Sequence, residues 1–241
     1  MNRLTGSIKH LIIINVILFA ASMLMTVNLD FLALWYPENP KFGVWQIVST
    51  MFMHGSVMHI AFNMYALWAF GTPLEQMWGS KKFLFFYFSA GIGASLIYTG
   101  VNYYEFHHIA DQLISNGWTQ EQFNSLFSTG SYPVNLMGDL SQDDVTQLYR
   151  IYNTPAVGAS GAIYGVLVAF GFAFPDAKLA MIFFPVPIKA KFFIPLIILG
   201  DLFFGLTGTQ TGTAHFAHIG GALVGYIMMK YWQKNQFTRW N

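Results

Sequence analysis

The sequence predicts an all-α membrane protein: a bundle of six transmembrane helices with both termini on the cytoplasmic side. Three observations carry this expectation. Of 241 residues, 54% are hydrophobic and only 10% are charged, less than half the ~25% of an ordinary soluble domain, so there is too little charge to solvate a globular surface. The apolar residues run in blocks near the ~20 residues that cross a bilayer, at 10–27, 51–71, 83–104, 155–174, 191–207 and 213–232. The cations are sorted by side. With a cytoplasmic N-terminus, Arg3, Lys9, Lys81, Lys82, Lys178, Lys189, Lys191, Lys230, Lys234 and Arg239 share that side, while only Lys41 and Arg150 face away. This is the bias that cytoplasmic loops show.

Taken in order, the first span follows Arg3 and Lys9 as a signal peptide would, but its length and the lack of a convincing cleavage site make it a retained helix. The second carries His54, His59 and Asn63 in its first turns, with His54 expected to hydrogen-bond at the helix entrance. The third runs apolar to residue 104. Beyond it, 105–153 is the only long polar stretch and on this topology is extracytoplasmic. Two short amphipathic helices are expected there, one at about 119–127 and one starting at Ser141, with Asp144 three residues on as an approximate capping box. This insertion reads as a helical cap or spacer, or as a platform for a substrate or partner. His107 and His108, at its start, are expected to be solvated.

Pro155 fits the start of the fourth span. Pro185, Pro187 and Pro195 mark the turn into the fifth and its first turns. Asp201 lies within the fifth span, where it could hydrogen-bond a neighbour, sit protonated or modulate gating. With no internal repeats, the whole chain, 1–241, reads as one membrane domain.

Composition narrows the chemistry. The net charge is +1 with no basic run, so nothing suggests a nucleic-acid surface. No cysteine is present, which excludes disulfides, thiolate zinc sites, iron–sulfur clusters and a cysteine nucleophile. Several histidines near one cavity would allow a metal or haem. Against this, His54 and His59 are five apart, hence off a common helix face, no carboxylates flank them, and a metal would leave Ser160 unexplained. No cofactor and no metal are expected.

A polar side chain at membrane depth is costly and usually faces the bundle interior in a working role. Spans two, four and six enter from the same side and carry theirs at similar depth: His54, His59 and Asn63; Ser160; His215 and His218. Gly161/Gly165 and Gly221/Gly225 are small-xxx-small pairs that let helices approach closely, as a short serine must to reach an imidazole on another helix. The first N–H groups of a helix have no intrahelical acceptor and can stabilise an oxyanion. His59 and Asn63, four apart, share a helix face and could add donors. Ser160 as nucleophile, His218 as general base, and His59 with Asn63 as oxyanion donors would compose a serine hydrolase site. No acid is needed if packing holds the imidazole, and Tyr164 is placed to stack on it. His215 lacks the flanking glycines and is expected to cap or line the cavity.

These residues resemble the rhomboid intramembrane serine proteases. Gly158-Ala159-Ser160-Gly161 is similar to the family's GxSG motif and Ala217-His218-Ile219-Gly220-Gly221 to its AHxxG motif. His54 through His59 to Asn63 is similar to HxxxxHxxxN. The resemblance implies a six-helix rhomboid-like bundle and a Ser160–His218 dyad that cleaves transmembrane protein substrates near the outer membrane surface. It also implies an oxyanion hole of His59, Asn63 and the Ser160 amide, orientation of His218 by Tyr164, and support from Gly158, Gly161 and Gly221. Trp45 resembles the family's membrane-embedded loop between the first two helices, but Gln46 stands where the family usually has arginine, so loop stabilisation must come from elsewhere. The expected setting is a bacterial inner membrane with the site open to the extracytoplasmic side. A catalytically silent rhomboid-like protein that binds or escorts membrane proteins is the alternative; such a relative usually loses the serine or histidine, and both are present. A transporter would need a polar route to both faces, which the cytoplasmic halves of the spans do not offer.

Overall fold

The computed structural model describes residues 5–24, 29–181, 184–207 and 213–237; Arg3, Arg239 and the last residues of the first expected span lie outside them. The described chain is mostly helical. Helix α1 (Gly6–Leu24) is followed by a loop holding the short α2 (Gln46–Ser49). Next, α3 (Val57–Ala66), a π-turn over Leu67–Gly71 and α4 (Thr72–Trp78) form one continuous rod. The π-turn ends two residues before Pro73, whose missing N–H cannot close the regular ladder. After Gly79 come α5 (Ser80–Ser115), α6 (Gln120–Thr129), α7 (Gln142–Asn153) and α8 (Ser160–Ala173). An antiparallel hairpin, β1 (Lys178–Met181) with β2 (Phe184–Lys189), leads to α9 (Ala190–Leu206) and α10 (His215–Phe237).

Among the described residues, α1 and α5 are the helices long and apolar enough to cross a membrane by length and composition. Around the bundle the outward faces are apolar: Ile13 and Ile17 on α1, Phe192, Leu199 and Phe203 on α9, and Leu223 and Ile227 on α10 are exposed. So large an apolar exterior belongs against lipid rather than water. Inside, α8 packs against α5 and α10, and Ile163, Val166, Leu167 and Phe170 are all buried. Central placement explains why α8 needs small residues at its contacts.

Several boundaries differ from the sequence expectation, for local reasons. The second span was expected to be helical from 51, but the rod begins at Val57, where the Ser56 hydroxyl accepts from the His59 amide and caps the helix. His54 therefore sits before the helix. The fourth begins at Ser160, so Pro155 does not start it. Ala156 instead pairs with Leu34 in an isolated β-bridge, its carbonyl accepts from Thr50 Oγ1 at 2.7 Å, and Gly158 N–H donates to the Thr50 carbonyl at 3.0 Å. Pro185 and Pro187 lie in β2, where a two-stranded hairpin has open edges that tolerate proline; Pro195 is inside α9.

The 36 residues of α5 reach about 54 Å at ~1.5 Å per residue, well beyond a hydrocarbon core of ~30 Å. Its last third joins α6 and α7 in a cap with an apolar core of its own, including Phe106, Leu113, Trp118, Phe123, Leu126 and Leu148. Both expected cap helices form with their capping boxes. Thr119 N–H donates to Gln122 Oε1 at 2.7 Å, and Ser141 N–H to Asp144 Oδ2 at 2.7 Å. His107 is not merely solvated: its Nε2 lies 2.8 Å from Glu38 Oε1, tying α5 to the first loop.

At the end opposite the cap, Glu75 joins three elements. Its carboxylate accepts from the amides of Ser7 (2.9 Å) and Ile8 (3.1 Å), from the Thr5 hydroxyl and from Ser80 Oγ (2.6 Å). It thus supplies acceptors to the open N-terminus of α1 from another helix. Glu75 lies beyond the expected second span. Burial raises its pKa, but the hydrogen bonds from Ser80, Thr5, Ser7 and Ile8 outweigh this and hold it at about 2.

Candidate functional site

The site forms where the N-termini of α8 and α10 meet the first turns of α3. Gly158 has φ +134°, a region that side chains rarely adopt. A Cβ there would also lie 2.8 Å from His59 Nε2 and 3.4 Å from Ser160 Oγ. This glycine both turns the chain into α8 and keeps open the space between His59 and the serine. Ser160 follows as the first residue of α8, so its N–H has no intrahelical acceptor.

Glycines set the approach of α8 to α10. A Cβ on Gly161 would lie 3.4 Å from the Ala217 carbonyl oxygen, one on Gly165 3.1 Å from the Gly221 carbonyl oxygen, and one on Gly225 2.7 Å from Gly165 Cα. The two small-xxx-small pairs therefore face each other, as the sequence suggested. With the backbones this close, Ser160 Oγ lies 2.8 Å from His218 Nε2, within the range for transfer of a hydroxyl proton to an imidazole. Tyr164, one turn into α8, stacks on the His218 ring at 4.2 Å between centroids and 13° between planes.

Sequence reasoning missed a partner of this pair. Asp201, on α9 and buried, places Oδ1 3.2 Å from His218 Nδ1 and 2.5 Å from His215 Nδ1, while Oδ2 accepts from the Tyr164 hydroxyl. The imidazole is thus held by packing and by an acid. The signal was present in the sequence, since an intramembrane carboxylate is rare, but its target lies on another helix and no spacing rule connects them.

His59, Asn63, Ser160, Tyr164, His215 and His218 all line one open cavity of about 1060 Å³. Asn63 is buried, and its Nδ2 donates to the His59 carbonyl one turn earlier at 2.9 Å. His54, expected off the face of His59, instead meets it edge-on with 5.0 Å between ring centroids. Lying before the helix frees it from the helical spacing. Neither of its ring nitrogens meets a partner in strict hydrogen-bonding geometry among the described residues. The upper wall of the cavity comes from the cap region: Tyr98, Asn102 and Glu105 of α5, and Gln147, Arg150 and Ile151 of α7. Burial raises the Glu105 pKa, opposed by the hydrogen bond from Gln147 Nε2 at 2.8 Å.

The loop around α2 is held together by Gln46 itself. Gln46 is fully buried; its Oε1 accepts from Trp35 N–H at 3.1 Å and its Nε2 donates to the carbonyls of Lys41 (2.8 Å) and Phe31 (3.2 Å). Trp45 Nε1 donates to the same Phe31 carbonyl at 2.8 Å, with its ring exposed beside Val44.

A protein-family model described as the Rhomboid domain matches residues 41–234. Rhomboid protein 1, mitochondrial, of Saccharomyces cerevisiae is 27% identical over 191 residues, 78% of this chain and 42% of that protein. Presenilin-associated rhomboid-like protein A, mitochondrial, of Danio rerio is 28% identical over 222 residues, 86% of this chain and 44% of the relative. Rhomboid protease AarA of Providencia stuartii is 27% identical over 187 residues, 76% and 54% of the two chains. This chain spans about half the length of the curated relatives it matches.

Proposed function

Since the chain belongs to the rhomboid family of membrane proteins, we propose that it is an intramembrane serine endopeptidase acting on transmembrane protein substrates. The observation that carries this reading is the 2.8 Å separation of Ser160 Oγ and His218 Nε2 at the start of α8, inside an open cavity of about 1060 Å³. Among the relatives, AarA is named a protease. In this reading α1, the α3 rod as far as Gly71, α5 as far as residue 104, α8, α9 and α10 cross the bilayer within one domain, and the cap and cavity face the extracytoplasmic side. Two of the three relatives named above are mitochondrial by name; the reading therefore commits to a membrane site, and the expected bacterial inner membrane gains no support from them.

The substrate helix unwinds locally, because peptide carbonyls within a helix are closed to attack. Ser160 Oγ adds to the scissile carbonyl while His218 Nε2 takes the hydroxyl proton. The developing oxyanion is held by the Ser160 N–H and by donors from His59 and Asn63. Collapse expels the amine, which receives the proton from His218. Water then attacks the acyl-enzyme with His218 as base, releasing the acid and restoring the serine.

The test is a serine-directed phosphonate applied to the purified protein, with the adduct located by mass spectrometry. Labelling of Ser160 that disappears in His218→Ala is expected. No adduct in the folded wild type would favour a catalytically silent binding or escort protein instead.

A further inference from the structure

We propose that Asp201 is a positioning residue for His218, so that the site works as a Ser160–His218–Asp201 chain of side chains in which His215 and Tyr164 hold the carboxylate. This inference rests on the protease reading above.

Stacking alone does not fix the orientation of the His218 ring. A ring rotated by 180° about its Cβ–Cγ bond keeps the same plane, so the contact with Tyr164 at 4.2 Å accepts both orientations of His218 equally. It also accepts both neutral tautomers. Only a hydrogen bond to one ring nitrogen separates these states. Asp201 Oδ1 lies 3.2 Å from His218 Nδ1, on the far side of the ring from the Nε2 that meets Ser160. An ionised carboxylate only accepts, so this contact places the proton on Nδ1 and leaves the lone pair of Nε2 facing the serine. That is the tautomer a general base needs.

The carboxylate is itself fixed. His215 Nδ1 approaches Oδ1 at 2.5 Å and the Tyr164 hydroxyl donates to Oδ2, so donors from α8 and α10 meet on one side chain of α9. Tyr164 therefore acts twice, with its ring on His218 and its hydroxyl on the group that orients His218. During turnover the Ser160 proton moves to His218 Nε2 and onward to the leaving amine. The Nδ1 proton stays on the imidazole and Asp201 remains a carboxylate, opposite the positive charge that develops on the ring, in a buried place where such pairing counts for more than in water.

A structural role alone would also bury a satisfied Asp201, so the test must separate the two. Wild type, Asp201→Asn and Asp201→Glu are compared in proteoliposomes on a single-span reporter, with the phosphonate labelling rate of Ser160 measured alongside. Asp201→Asn is expected to lower kcat about tenfold or more with KM within about twofold, to slow labelling in parallel, and to be partly rescued by Asp201→Glu. Wild-type kcat in a folded Asp201→Asn would overturn the inference and leave the protease reading standing. Should wild type neither cleave nor label, the protease reading falls and this inference with it. Independently of any variant's folding, nitrogen-15 spectra of histidine-labelled wild type should show His218 as the Nδ1–H tautomer; the Nε2–H tautomer would overturn the proposal.

Discussion

Gly221 meets Gly161 backbone to backbone: a Cβ built on Gly221 would fall on the Gly161 carbonyl oxygen. This contact lies one residue past Ser160 on one helix and three past His218 on the other, so the distance between the reacting side chains depends on it. Gly221→Ala should push α10 from α8, costing about 1–3 kcal/mol of stability as overpacking does. Cleavage should fall more than stability does. Gly200→Ala is the control, since a Cβ on Gly200 meets nothing within 4 Å; it should keep full activity. Thermal unfolding and reporter cleavage on the two variants check the pair.

Gln46 ties its loop together through three hydrogen bonds to backbone groups. Gln46→Ala would leave the buried Trp35 N–H without its acceptor and strip the Lys41 carbonyl of its donor. A loss of about 2–3 kcal/mol is expected from such stranded polar groups. Differential scanning in detergent reads it directly, and an unchanged midpoint would contradict the assignment.

Cap residues form the upper wall of the cavity, and the protease reading predicts a part for them in substrate handling. Removing Gln147 and Arg150 together, as alanines, should raise KM for a transmembrane reporter several-fold while leaving phosphonate labelling of Ser160 unchanged, because the small probe does not reach that wall. Leu148→Ala, by contrast, acts on the cap's apolar core and should cost about 2–5 kcal/mol, visible as an early melting phase or as proteolysis within 105–153.

Glu75 makes stability depend on acid. Its folded pKa of about 2 lies below the ordinary carboxylate value of 4.5, so its contribution is complete above the ordinary value and is lost as pH falls toward 2. Wild type should therefore melt above Glu75→Gln at pH 7, and the gap should narrow as pH drops from about 5 to about 3. A gap that stays constant over this range would show that the charge of Glu75 is not what secures α1.

The helices and the pairing of Ser160 with His218 were legible because membrane burial writes itself into composition, and because a serine or histidine flanked by glycines marks close helix contact. The limits of the α3–α4 rod and of α8 were not. Ser56 and the Leu34–Ala156 bridge end those helices through long-range or capping contacts inside stretches that hydropathy alone reads as continuous. The 178–189 hairpin was hidden for the same reason, its prolines reading as a plain turn. Asp201 was visible but unplaced, since residues 201 and 218 meet only through the packing of α9 on α10. His54 was misjudged because helical spacing was applied to a residue just outside the helix.

The most direct measurement is cleavage of a single-span reporter by the purified protein in proteoliposomes, wild type beside Ser160→Ala. The account predicts a product from wild type and none from the variant. Equal cleavage by both would contradict it, because the bond would then be broken without the hydroxyl on which the proposed chemistry depends.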